Sequence, residues 1–208
     1  MIIQKSSKVL LFAILIISFF GMNLNKSEAQ PPCPTGFTLR VMTFNINGCN
    51  YTAQVCYKCA PIALDATIVN PITTFSKVDT NCAPSPALTD AEILAEINIG
   101  VMNRIYLAQL CEIKPCGVDP KVRMLFAKYA CWKNGSIQGK YDACTSEPYC
   151  ETMYEACVDN SVSPPIISWT IVGTPTWVGG APSCPLPPLG IIPNLPNSTC
   201  YLLNGTCP

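Results

Sequence analysis

Fourteen cysteines constrain this chain more than any other feature: Cys33, Cys49, Cys56, Cys59, Cys82, Cys111, Cys116, Cys131, Cys144, Cys150, Cys157, Cys184, Cys200 and Cys207. All follow an N-terminal stretch that reads as an export signal. An even number of cysteines in an exported chain predicts a disulfide framework, here of up to seven bridges. Fourteen half-cystines allow far more pairings than the 105 open to eight, so spacing alone does not give the connectivity.

The export reading rests on residues 1–29. Lys5 and Lys8 supply a positive start, and residues 9–20 (VLLFAILIISFF) form an apolar run of twelve. A membrane span needs about 20 residues, whereas twelve suits a signal-peptide core. Ser27 and Ala29 offer small residues at the positions a signal peptidase reads, so cleavage is expected before Gln30, and no cysteine sits there to carry a lipid. The expected mature protein, residues 30–208, is secreted, extracellular or periplasmic, with no later membrane span. Its ten Lys/Arg and twelve Asp/Glu leave a net charge near −2, without a basic cluster. Nucleic acid and anionic membranes are therefore poor partners. Charged residues are only 12% of the chain, about half the usual share. Such a surface favours self-association or attachment to another extracellular surface.

Asn47-Gly48 is the strongest local signal, because both residues tolerate the positive φ of a type I′ hairpin turn. A two-residue turn there pairs Ile46 with Cys49, Phe44 with Tyr51 and Met42 with Ala53. The returning strand alternates, with Cys49, Tyr51, Ala53, Val55, Tyr57 and Cys59 on one side and polar residues on the other, where only Cys56 breaks the pattern. On the first strand the apolar parity switches at Val41–Met42, which calls for a bulge or two partly covered faces. Residues 66–78 read as further strand, with Pro71 a break or an edge marker. Thr89 and Glu92 make a capping box ahead of a helix over residues 90–110. Its apolar residues cover most sides, so substantial burial is expected. Gly100 in its middle points to close approach by a neighbour. Residues 121–133 fit helix or strand, residues 147–159 read as a short helix, and residues 166–172 as a late strand.

Histidine is absent from the whole sequence. That excludes His-based nucleophilic and acid–base catalysis and removes the commonest zinc and copper ligands. No phosphate-binding glycine loop or EF-hand loop appears. Accordingly no catalytic residue, cofactor site or metal site is assigned. Glu147, Glu151 and Glu155, at helical spacing, read as a solvated acidic stripe, with a calcium or catalytic face as the sharper alternative. Trp132, Trp169 and Trp177 are weighed as ligand platforms; Trp177, in TPTWVGG, is the candidate because its segment is loop-like. Asn50, Asn134, Asn197 and Asn204 each start an N-x-Ser/Thr sequon.

Cys56-Tyr-Lys-Cys59 is the one short-spaced pair. It ends an antiparallel hairpin strand rather than opening a helix, which does not suit a redox site. In an extended strand, residues three apart lie about 10 Å from each other on opposite faces, beyond the roughly 7 Å limit for a disulfide. Cys56 and Cys59 should therefore bond to different partners, and Cys33–Cys59 is the expected bridge.

Together these readings predict an α+β fold: a disulfide-rich domain with an antiparallel sheet packed on one long helix. Residues 1–29 are the signal, 30–180 the stapled domain, and 181–208 a Pro/Cys-rich arm docked on it through Cys184, Cys200 and Cys207. The expected function is an exported structural or interaction protein of matrix, surface or filament type. A carbohydrate or small-molecule binding module using exposed aromatics is the alternative, and a carboxylate-dependent hydrolase ranks below both.

Overall fold

A computed structural model of the chain describes residues 33–59, 67–69, 72–107, 110–119, 121–186, 199–203 and 205–207. The expected signal, Pro71, Asn197 and Asn204 lie outside the described residues.

The turn at Asn47-Gly48 forms with φ of 49° and 84°. It joins β1 (Thr38–Ile46) to β2 (Cys49–Lys58) in the register the turn dictates: Ile46 faces Cys49, Phe44 faces Tyr51 and Met42 faces Ala53. The pairing runs on to Thr38–Tyr57 without a bulge. The parity switch has another cause. Only Met42, Phe44 and Ile46 meet the core, while the first half of β1 leaves Leu39 and Val41 exposed.

Nine further strands lie among the described residues: β3 (Thr67–Val69), β4 (Thr74–Lys77), β5 (Val122–Tyr129), β6 (Cys131–Asn134), β7 (Lys140–Ala143), β8 (Tyr149–Asp159), β9 (Ile166–Ile171), β10 (Thr176–Val178) and β11 (Tyr201–Leu202). They form one eleven-stranded sheet in the order β10-β8-β5-β3-β2-β4-β7-β6-β11, with β1 added to β2 and β9 to β8. β3–β5 is parallel and the other ladders are antiparallel. The sheet dominates, so the expected balance of antiparallel sheet and long helix is corrected to a mostly β, mixed sheet with one helix among the described residues.

That helix, α1, spans Asp90–Leu107. Its capping box closes as expected. Thr89 donates both its backbone N–H and its hydroxyl to Glu92 Oε2 at 2.8 Å, and the Glu92 N–H returns to Thr89 Oγ1 at 3.3 Å. Ile93, Leu94, Ile97, Val101, Met102 and Ile105 are buried in the main core. The burial is not all-round, however: Ile99 is 53% exposed. The sheet curls round this helix. Arg104 lies 4.8 Å from the Phe44 ring of β1, while the adjacent Asn103 accepts a 3.0 Å hydrogen bond from Trp169 Nε1 of β9.

Residues 147–159 are not the expected helix. From Tyr149 they form β8, the longest strand, which pairs with β5 over eight residues. A lone helix of this length is marginal, and the β5 ladder overrides the helical spacing of Cys150, Tyr154 and Cys157. In the strand Cys150, Thr152 and Ala156 turn inward together, whereas Cys157 has the opposite parity. The open choice at 121–133 resolves as β5 and β6, with Ala130 between them.

All fourteen cysteines are bonded: Cys33–Cys56, Cys49–Cys82, Cys59–Cys111, Cys116–Cys157, Cys131–Cys184, Cys144–Cys200 and Cys150–Cys207. Cys33–Cys59 is therefore corrected to Cys33–Cys56. The chain before β1 turns at Gly36, where Phe37 N–H donates to Pro34 C=O, and Cys33 meets the one cysteine on the non-core side of β2. Cys59, past the strand end, reaches Cys111 beyond the helix. Every bridge joins a cysteine in or just after a strand to one in a connecting segment. The sheet holds its own register by hydrogen bonds, and the bridges tie the loops to it.

Gly100 carries the close approach that its place in α1 implied. A Cβ there would sit 2.7 Å from Phe44 Cδ1, well inside van der Waals contact. Gly100→Ala should lower stability by about 1–3 kcal/mol through overpacking, against the roughly 1 kcal/mol that alanine would add in an open helix. Urea denaturation of the oxidised protein measures the sign, and a stabilised variant would show that Phe44 gives way.

Candidate functional site

The strongest candidate site forms where the registers of β2, β4 and β7 stack polar and aromatic side chains beneath the start of α1. Tyr51 lies opposite Lys77, and Ala53, Phe75 and Tyr141 run across three strands in one row. Strand alternation puts these side chains on the core face. Asp90, at the first position of α1, faces the Tyr141 hydroxyl closely enough for each to shift the titration of the other. Tyr51, Lys77, Asp90, Ile93, Gln138 and Tyr141 are among the residues lining a cleft of about 290 Å³.

The walls are rigid. Phe75 and Tyr141 stack with ring centroids 4.6 Å apart at 9°, and Trp132 meets Phe75 edge-on at 5.1 Å. Tyr201, brought in by the β6–β11 pairing, donates its hydroxyl to Asn134 Oδ1 at 3.0 Å. Lys77 Nζ donates to the Cys82 carbonyl, which the Cys49–Cys82 bridge holds in place.

Burial controls the electrostatics. It pushes the Asp90 carboxyl above the usual aspartate range, opposed by the Tyr141 hydrogen bond and by Lys77. Burial and then the Asp90 charge raise Tyr51 and, far more strongly, Tyr141. Tyr201 is pushed up to about 12 by the same two causes. One negative charge thus biases three phenols towards their neutral, hydrogen-donating form. The arrangement can hold a small polar ligand. It does not supply paired acids, since Asp90 is the one carboxylate among the lining residues and glycoside hydrolysis needs two about 5–9 Å apart.

The residues singled out from the sequence do not gather here. Trp177 lies on β10, half-buried against Ala130, Cys131 and Cys144, where it packs rather than standing free as a platform. Trp132 is core, and Trp169 is anchored to α1. Glu155 makes surface ion pairs with Lys121 at 3.6 Å and Arg123 at 3.3 Å. Glu147 accepts from Ser183 Oγ at 3.3 Å. Among the described residues no three His, Cys, Asp or Glu side chains are grouped to hold a metal. Asn50 is exposed on β2, whereas Asn134 is buried, so of these two sequons only Asn50 presents an acceptor. Asp90 carried no sequence signal beyond helix-start chemistry, and Tyr141, on β7, carried none.

A second feature lies at the other side of β2. The carbonyl of Asn50 accepts from Val78 N–H, away from β1. Asn50 and its partner Asn45 are therefore a non-hydrogen-bonded pair, and by the antiparallel alternation so are the pairs of Thr43, Val41 and Leu39. The N–H and C=O of these four residues point outward. No strand among the described residues pairs with that edge.

Seven disulfides on a mostly β fold define the chain as a disulfide-stabilised protein of the kind that persists in oxidising, extracellular surroundings. No helix among the described residues is long and apolar enough to cross a membrane. Comparison with known protein families, curated proteins and solved structures gives no significant match.

The raised groups set the pH dependence. For Asp90, stability is fully present below the ordinary aspartate pKa of about 3.9 and is lost as pH rises through its raised value. For Tyr201 it is fully present below about pH 10 and lost as pH rises through about 12. Asp90→Asn should flatten the first limb and move phenolate absorbance to lower pH. Denaturation and absorbance at stepped pH measure both, and an unchanged phenolate curve would show that Asp90 does not act on these tyrosines.

Proposed function

We propose that this chain is an exported, disulfide-stabilised structural or interaction protein, a component of an extracellular matrix, surface or filament. The observation that carries the reading is the outer edge of β1, a nine-residue strand that no strand among the described residues pairs, on a frame held by seven bridges. Proteins usually blunt such edges with short strands, lysines, prolines or bulges. β10 and β11 follow that practice with three and two residues. β1 has no proline, lysine or bulge, carries a single charge at Arg40, and leaves Leu39 40% and Val41 59% exposed. An edge left in this state serves contact with another chain.

Residues 1–29 act as a cleaved signal in this reading. Residues 30–180 form the stapled body, and 181–208 the arm held by Cys184, Cys200 and Cys207. Expressed in a secreting host, the chain should be recovered outside the cytoplasm, beginning at Gln30 and free of titratable thiols. It should associate with itself or with extracellular surface material. A protein that stays strictly monomeric at high concentration and binds no such material overturns the reading.

The Asp90 cleft favours a second reading, a carbohydrate or small-molecule binding module. Asp90 and Lys77 offset each other in charge, so the cleft suits a neutral, hydroxyl-rich ligand. Ligand entry should alter the fluorescence of Trp132, whose ring meets Phe75, and Asp90→Asn should weaken the response at least about tenfold, the loss of one charge-assisted hydrogen bond. No response across a panel of neutral sugars removes this reading.

A further inference from the structure

We infer that β1 pairs with β1 of a second copy, antiparallel about a two-fold axis through Met42. This rests on the interaction reading above and names the partner for its open edge.

The outward backbone groups select the partner and the register. Leu39, Val41, Thr43 and Asn45 alternate along one edge, and a two-fold operation converts such an edge into its own complement. With Met42 on the axis, Leu39 meets Asn45 of the second copy and Val41 meets Thr43. All four outward residues of each chain are then used. Each such pair exchanges two hydrogen bonds, about eight in total. Moving the axis to Val41 or Thr43 leaves one of the four without a counterpart. Moving it to Arg40 sets the two guanidinium groups face to face, which costs energy.

Side-chain chemistry agrees with a like partner. None of the four outward residues is charged, and Arg40 is the one charge on β1. Leu39 and Val41 supply apolar area on the outer face. On the helix side Ile99, 53% exposed, stands next to the Gly100 that packs on Phe44. The register also places Arg40 opposite Phe44 of the second copy, whose ring carries Arg104 at 4.8 Å. Salt screens this like-charge approach, so association should tighten as ionic strength rises. β9 is the other long edge, but Pro164 and Pro165 lie directly ahead of it. Pairing β1 with β9 would be head-to-tail and would grow into chains, whereas β1 on β1 closes at two.

Sedimentation velocity and residue-resolved amide exchange on the mature, oxidised protein test the proposal. A monomer–dimer equilibrium is expected at micromolar concentration, on the order of a small interface, strengthening with salt. The amides of Leu39, Val41, Thr43 and Asn45 should gain protection in step with the dimer. Those of Met42 and Phe44, bonded to β2, should be protected at every concentration. Val41→Lys, at a surface position, should weaken the dimer at least about tenfold. Thr43→Pro, which deletes one outward N–H, should do the same with an unchanged far-ultraviolet spectrum.

Growth beyond two copies, a dimer indifferent to Val41→Lys, or a dimer weakened by salt overturns the inference. A monomer whose four edge amides exchange freely also overturns self-pairing. In that case the broader interaction reading stands or falls separately, on whether added extracellular surface material protects the same amides. Protection at every concentration means the chain covers its own edge, and both readings fail.

Discussion

The two-residue turn at Asn47-Gly48 is the constraint from which the rest follows. A side-chain period of two means that a slip of one residue would send every inward side chain to the opposite face. The turn forbids that slip. It fixes Phe44 against Tyr51 and Met42 against Ala53, which defines the core face of β2. β2 then holds β1 along one side, and β4 and β3 along the other. Through β4 the same face passes to Phe75 and Tyr141, so the cleft inherits its geometry from the hairpin. Asn47 secures the turn by donating from Nδ2 to the Pro86 carbonyl at 2.8 Å.

The disulfides act on a different part of the molecule. Each fixes a connecting segment to a strand or a strand end, so the hydrogen-bonded ladders set register while the bridges limit how far the loops open. A bridge closing a loop of about 50 residues contributes about 4 kcal/mol in the chain-entropy account. The sequence separations here run from 23 to 57. A frame held in this way tolerates a strand edge unpaired among the described residues and a half-buried carboxylate, each of which lowers stability by itself. Such departures from local consistency gather at places that do something.

Much of the frame was readable in the residues. The hairpin register, the capping box of α1, the crowding at Gly100 and the separate partners of Cys56 and Cys59 all follow from short-range rules. Those rules concern a few adjacent residues and the period of their side chains. Cys56 stands out as the lone break in the polar side of β2, yet its bridge to Cys33 was missed because the expected partner of Cys33 was Cys59. Residues 147–159 misled because their cysteine and tyrosine spacing fits a helix turn, while the partner that makes them a strand, β5, lies more than twenty residues upstream. The cleft was hidden for the same reason. Asp90 reads as ordinary helix-start chemistry, and Tyr141 lies in a stretch for which the sequence offered no element. Only the β2–β4–β7 registers and the docking of α1 bring the two into contact.

The sequence by itself determined the even cysteine count that lets every one be bridged, the absence of histidine-based catalysis, the hairpin and the helix start. Each depends on composition or on neighbours within a few positions. Tertiary structure decided which cysteines meet, that β8 is a strand, that Asp90 comes beside three phenols, and that no strand among the described residues pairs with the outer edge of β1. Those outcomes depend on pairings between residues tens of positions apart. Many such pairings satisfy the same local preferences, and the chain selects among them by the core it can bury and the hydrogen bonds it can complete.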